Sequence, residues 1–290
     1  MSTAIESPVY TLGTWQGNVL DDFGVEWIVE DEDGWSSTPP VKATLQEKTA
    51  GDGAWSGPGF FSSRVINLTG RAKAPDRLSM LAAKDRLRAS ISPRVPAQLQ
   101  VDEAHMTRVA TVRLSDKIDV RDQSAEIFSW GLTITAPDPR RYAPEPNTTS
   151  TALPSAATTG RTYPRTWPML YGGAVEGGTG SVFFDNLGDF DETPAVITFV
   201  GPVQTPRVEH VQTGRNLTFD LTLSADDILV VDLLAQTAIL NGSGNRAYTI
   251  SAGSAWFMLV SGMNELAFRG VALSPPPDPL MTVTATSAWS

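Results

Sequence analysis

The stretch from Leu217 to Gly270 constrains this chain more than any other. Leu217, Phe219, Leu221 and Leu223 alternate with Thr218, Asp220 and Thr222, the period of a strand with one dry face and one wet face. Asp226-Asp227 interrupts the pattern, and residues 228–233 read as a second, more buried strand. Residues 237–242 form a third, ended by Asn241-Gly242-Ser243-Gly244, a cluster that tolerates positive φ. Residues 247–250 supply a fourth. Trp256, Met258 and Val260 then share a face, which makes Trp256 a core residue, and Gly262 turns the chain into residues 265–268. Six short strands with frequent turns predict a sandwich or jelly roll.

The full 290 residues exceed a single small sandwich and suit two domains. There are 24 Gly and 21 Pro, which fit many turns and few long helices. No cysteine is present, so disulfides, thiol nucleophiles and cysteine-based zinc sites are excluded. The first 13 residues lack a basic region followed by an apolar run, so no signal peptide is expected. No apolar run of about 18 residues occurs, so no membrane-spanning helix is expected. A net charge of −10 repels phosphate backbones and argues against tight nucleic-acid binding.

Upstream, residues 10–27 carry one or two short strands, and residues 25–30 a clearer one. Asp31-Glu32-Asp33-Gly34 reads as a solvated acidic turn without the EF-hand spacing. Val41, Ala43 and Leu45 mark another strand. A glycine-rich loop follows, from Gly51-Asp52-Gly53 through Trp55 to Gly57-Pro58-Gly59. It lacks the GxxxxGK[ST] pattern of a phosphate cradle, and it is too long and glycine-rich for a tight hairpin. The chain returns as a strand from Phe61 to Thr69, with Arg64, Ile66 and Leu68 in its middle. Residues 75–91 predict one helix, with Pro75 in its first turn, an apolar stripe of Leu78, Leu81, Ala82 and Leu87, and a solvated face of Asp76, Lys84, Asp85 and Arg88. Residues 98–102, 108–118 and 125–137 alternate as strands, the last with Phe128, Trp130, Leu132 and Ile134 on one face. Residues 143–178 read as a Pro-, Thr- and Ser-rich linker or crossover, and residues 274–279 as a stiff spacer. Met281, Val283 and Ala285 share a face of a final strand.

Catalytic constellations are missing from this pattern. His105 and His210 are far apart and outside any HExxH spacing. Ser243 lies between strands, not at a strand-to-helix elbow. Asp21-Asp22 and Asp226-Asp227 fall at strand breaks and carry no glycosidase geometry. No catalytic, cofactor or metal residue is assigned.

Two ordered motifs carry a resemblance. Leu240-Asn241-Gly242, Trp256, Leu259, Gly262, Asn264, Leu266, Phe268 and Gly270 resemble the C-terminal half of siphophage distal tail proteins. Ala136-Pro137-Asp138-Pro139-Arg140-Arg141-Tyr142 is similar to the close of their N-terminal domain, which itself resembles tail-tube subunits. Asp191-Glu192-Thr193-Pro194 before an apolar strand ending at Gly201 matches the usual entry to their second domain.

The resemblance implies a mostly β protein: a tail-tube-like, ring-forming domain at 1–142 with one helix, a linker at 143–178, and a galectin-like sandwich at 179–290. It implies a hexameric ring joining the tail tube to the baseplate hub around the DNA channel. The partners would be other copies of the chain, the tail-tube protein, the tail-tip hub protein and the tape-measure protein. DNA would only pass through, with no membrane and no cofactor. Location would be the virion tail tip after assembly in the bacterial cytoplasm. Gly51, Asp52, Gly53, Trp55, Gly57 and Phe60 are the inter-subunit contact candidates, with Trp55 as the anchor. A carbohydrate-binding or receptor-binding tip module is the alternative, although His210 lacks the galectin H-x-N-x-R pattern.

Overall fold

The computed structural model describes residues 7–154, 178–273 and 278–290. It is mostly β with one α-helix and several antiparallel sheets. Two compact units divide the chain, one of residues 1–144 with 289–290 and one of 145–288.

The first unit runs β1 (Val9–Leu12), β2 (Trp15–Gly17), β3 (Glu26–Asp33), β4 (Val41–Glu47), β5 (Ala54–Phe61), β6 (Arg64–Lys73), α1 (Arg77–Ala89), β7 (Ala97–Asp102), β8 (Thr107–Leu114), β9 (Asp119–Asp122), β10 (Ile127–Ala136) and β11 (Arg141–Tyr142). Its main sheet has the order β2-β1-β7-β8-β10-β6-β3. β6 and β10 pair over ten residues, Lys73 opposite Ile127 and Arg64 opposite Ala136. Both alternate buried and less buried positions, as their sequences require. The sheet curls until its ends meet. The Val29 amide donates to Asn18 Oδ1 at 2.8 Å and the Trp27 amide to the Val19 carbonyl at 3.0 Å, so the edges are blunted rather than left open. Inside, Trp15 packs edge-on against Trp27 and Trp130, with ring centroids 5.9 and 5.1 Å apart, an arrangement aromatic quadrupoles favour.

Three expectations for this unit need correction. The acidic run Asp31–Asp33 belongs to β3, and only Gly34 turns. A register shift between Val29 and Asp31 accommodates the extra residue. The helix is capped by Asp76, whose carboxylate accepts from the Ser79 amide, but its buried face is Met80, Ala83, Lys84 and Leu87. Leu78 and Leu81 are exposed. Lys84 is therefore not solvated. Its stem lies in the core and its ammonium pairs with Asp122, 5.4 Å from the Phe128 ring centroid. The glycine-rich segment is no irregular loop, because Ala54–Phe61 is a strand paired with β4.

The second unit contains β12 (Asn147–Ala152), β13 (Ser181–Asn186), β14 (Ala195–Val200), β15 (Val203–His210), β16 (Arg215–Thr218), β17 (Thr222–Leu223), β18 (Ile228–Asp232), β19 (Thr237–Leu240), β20 (Gly244–Asn245), a 3-10 turn at Ala247–Thr249, β21 (Gly262–Ala272) and β22 (Leu280–Ala285); β23 (Ala288–Trp289) follows. One sheet has the order β12-β22-β14-β18-β19-β20 and the other β13-β21-β15-β16, with β17 on β15. Their inner faces share one core that includes Phe199, Phe219, Leu229, Phe268 and Met281.

The expected single strand from Leu217 to Leu223 is two pieces, β16 and β17. Leu217, Phe219 and Leu223 are buried nonetheless, and Leu221 only partly. Residues 247–250 are not a strand. The Asn245 side chain accepts from the Ala247 amide and the Arg246 carbonyl accepts from Thr249, a local alternative to a ladder. In residues 256–260 the dry side is Phe257 and Leu259, so Trp256 is only partly buried and is not core. The linker's start is also ordered, since β12 pairs with β22 along its whole length. The rest of that expected linker, at 155–177, and residues 274–277 of the expected spacer lie outside the described residues.

Candidate functional site

β4 and β5 form a two-stranded ribbon that pairs with no other strand among the described residues. All of β4 is exposed and nearly all of β5. Val41 is 65% exposed, Leu45 68%, Trp55 67% and Phe60 55%. An isolated two-stranded ribbon is marginal in water, and its exposed apolar side chains divide between two faces, Val41 and Leu45 on one and Trp55 and Phe60 on the other.

All the candidate contact residues fall on this ribbon. Gly51, Asp52 and Gly53 form its tip, where the Lys48 amide donates to the Gly53 carbonyl at 3.2 Å. Trp55 lies opposite Gln46, with the Lys48 ammonium 5.3 Å from its ring centroid. Gly57 sits at the register shift between Ala43 and Leu45, and Phe60 lies opposite Lys42.

The ribbon's root is built in the opposite way. Arg64 is 1% exposed. Its Nη1 donates to the carbonyls of Gly34, Trp35 and Ser37 at 2.7, 3.0 and 2.6 Å, and its Nε to the Pro139 carbonyl at 3.0 Å. Arg141, also buried, donates to the Trp35 carbonyl at 2.7 Å and to the Ser290 carbonyl. Glu32 accepts from the amides of Trp35 and Ser36. Tyr142 donates to Asp138 at 2.6 Å, and burial first, then this bond, pushes its phenol pKa up. Two cationic side chains thus tie the segment entering the ribbon, the strand leaving it and the Pro137–Tyr142 corner into one knot. Sequence reasoning noted Arg64 in step with Ile66 and Leu68 but missed the consequence. That parity puts the guanidinium on the dry face, where it must find acceptors.

His210 is fully buried in the second unit. Its Nε2 donates to Asn264 Oδ1 at 2.9 Å, and its Nδ1 lies 2.9 Å from Thr213 Oγ1. Asn264 is fixed in orientation, because its Oδ1 also accepts from the Val260 amide while its amide donates to the Val260 and Gly262 carbonyls. Phe257 stacks on the imidazole at 5.3 Å. Burial pushes the His210 pKa down, against the opposing Asn264 bond. With both ring nitrogens engaged, His210 presents nothing to a saccharide. His105 is exposed beside Glu103.

Residues 187–275 match the family model of the siphovirus-type tail component, C-terminal domain. The fold is similar to the crystal structure of the Dit protein (gp 19.1) of phage SPP1, a paradigm of the hub adsorption apparatus in phages that infect Gram-positive bacteria. The TM-score is 0.64 with 12% identity, over 97% of this chain and 99% of that one. A chain of the phage P2 baseplate in its activated conformation with calcium aligns at a TM-score of 0.45 and 13% identity, over 96% and 98% of the two chains. No curated protein matches in sequence. Residues 187–275 are thus similar to the C-terminal domain of a siphovirus-type tail component, and the chain as a whole has a fold similar to that of the phage SPP1 Dit protein.

Proposed function

We propose that the chain is a structural, non-catalytic component of a long non-contractile phage tail, a distal tail protein. In this reading it assembles as a hexameric ring between the tail tube and the tip hub. Residues 1–142 build the ring and surround the DNA channel. Residues 143–178 cross over, and residues 179–290 face outward and dock tip proteins. It resides at the virion tail tip and is assembled in the bacterial cytoplasm. The match of residues 187–275 to a tail component carries this reading. The exposed β4–β5 ribbon supports it, since Val41, Leu45, Trp55 and Phe60 are apolar surface that a neighbouring copy would cover. We assign the inter-subunit contacts to Gly51, Asp52, Gly53, Trp55, Gly57 and Phe60, with Trp55 as the anchor, because buried tryptophans dominate interface energetics.

Negative-stain micrographs of the purified chain, with mass photometry at micromolar concentration, test the assembly. Sixfold rings are the expected outcome. Monomer alone in solution, together with tails that lack a ring of this chain, overturns it.

A further inference from the structure

The second unit contains a groove of about 510 Å3, within the roughly 300–1,000 Å3 of small-ligand clefts. Four stretches of chain converge on it, contributing Asp191, then Thr213 and Arg215, then Gln236, then Trp256. Alternation decides which side chains it receives. Phe257 and Leu259 are buried, so Trp256, Met258 and Val260 project to the opposite side, where they line the groove. Trp256 packs against the edge of the core and is only partly buried. Packing thus holds the indole in place while part of the ring stays accessible.

The polar groups around the ring are held or left open. Arg215 sits over the strand, its Nη1 3.4 Å from the Trp256 carbonyl oxygen. Thr213 Oγ1 lies 2.9 Å from Nδ1 of the buried His210 and accepts from the Arg215 amide at 3.4 Å. Gln236 occupies the turn between β18 and β19 with a φ of 53°. Among the described residues, the Asp191 carboxylate, the Gln236 side-chain amide and the Trp256 indole N–H have no hydrogen-bond partner. The indole N–H is also not sealed from solvent.

Elimination narrows the ligand. An apolar molecule would desolvate the carboxylate and the guanidinium without pairing them. A polyanion would meet Asp191 on a chain of net charge −10. A quaternary ammonium calls for a cage of aromatic rings, and Phe257 is turned away, stacked on His210. An extended peptide finds no open edge, because Ala255 is paired with Asn216 and Leu259 with Thr193. A pyranose meets the remaining requirements. Its C–H face stacks on an aromatic ring, and each hydroxyl both donates and accepts, which suits a carboxylate, an amide and a guanidinium together.

We propose that this groove binds a neutral saccharide, stacked on Trp256 and hydrogen-bonded through its hydroxyls to Asp191, Gln236 and Arg215. The site is separate from the β4–β5 ribbon and from His210, and it needs no ring.

The test uses the full chain with maltose, cellobiose, lactose and N,N′-diacetylchitobiose, read by saturation-transfer NMR and titration. At least one is expected to bind saturably with a Kd below about 5 mM, its ring C–H protons receiving the strongest saturation. Trp256→Ala should weaken that binding at least about tenfold. Trp256→Tyr keeps a ring in place and should stay within about threefold of the parent. Asp191→Asn and Gln236→Ala should each weaken binding about threefold to fivefold at an unchanged melting temperature. Trp55→Ala, which removes an exposed tryptophan of the first unit, should leave it unchanged. The proposal is overturned if none of the four sugars binds, if Trp256→Ala binds as the parent does, or if neither polar variant matters. It is also overturned if Trp55→Ala abolishes binding, or if tetramethylammonium binds at Trp256 more tightly than every sugar.

Discussion

The β4–β5 ribbon and its root are adjacent in sequence and opposite in construction. The ribbon buries almost none of its own side chains. The root buries Trp35, Arg64 and Arg141 to within a few percent and satisfies four carbonyls with one guanidinium. The ribbon therefore contributes little to the stability of its unit, and its sequence is free to serve a partner. The root cannot vary in that way, because a charge held in the core is stable only while every acceptor stays in place. A rigid base fixes the direction of a ribbon that buries almost none of its own side chains.

The largest expected effect is at the root. Arg64→Ala removes the donor shared by four carbonyls and leaves a void beside Trp35. The loss should be at least about 3 kcal/mol in urea denaturation of the first unit. Gly34→Ala should act in the same direction. Gly34 has φ of 98°, and a Cβ there would lie 1.9 Å from the Val65 carbonyl oxygen. If Arg64→Ala unfolds at the parent urea concentration, the buried knot does not hold the ribbon's base.

Trp55→Ala is the counterpart on the ribbon. A side chain 67% exposed should cost the isolated subunit less than about 0.5 kcal/mol on removal. On the proposed function, the same change weakens each inter-subunit contact by about 2 kcal/mol, visible as ring dissociation on dilution. A lowered melting temperature with intact rings would reverse the two roles.

The sequence was most legible where burial is regular. Phe128, Trp130, Leu132 and Ile134 announced β10 by alternation, and Met281, Val283 and Ala285 announced β22. It misled where a polar side chain took over backbone duty. Asn245 ends the ladder before residues 247–250, and the bulge in β3 hides a strand inside an acidic run. The stripe on α1 was misplaced because Lys84 was counted as wet, though its stem is core and its charge is met by Asp122. Trp256 was misread because the parity of residues 256–260 is set by one bridge, Leu259 to Thr193, which no local pattern encodes. The candidate contact segment was picked out by its glycines and Trp55 but read as a loop rather than a paired ribbon, and its root was missed, because Arg64, Trp35 and Arg141 meet only through the tertiary fold.

Acid provides a smaller perturbation, confined to the second unit. Burial holds the folded-state pKa of His210 below the ordinary imidazole value of about 6.5, so the unfolded chain takes up the proton first. Stability contributed by neutral His210 is complete above about pH 6.5 and falls as pH drops toward the folded value, with a slope of at most about 1.4 kcal/mol per pH unit. His210→Gln should flatten the melting temperature of the second unit between pH 6.5 and 5. An unchanged slope in that variant would place the titrating group elsewhere.

The smallest effect separates ribbon from root with the same substitution that damages the root. Gly51 has φ of 92°, nearly the value at Gly34, and an added Cβ there meets nothing within 4 Å. Gly51→Ala therefore carries backbone strain of about 1 kcal/mol and no clash. The strain acts on a two-stranded turn that no other strand pairs with among the described residues. Opening of the ribbon and unfolding of the unit are then separate events. Amide exchange in β4 and β5 should rise by roughly fivefold, with the melting temperature of the unit unchanged. If Gly51→Ala lowers that temperature as far as Gly34→Ala does, ribbon and root fold as one cooperative element, and the independence argued from their burial is wrong.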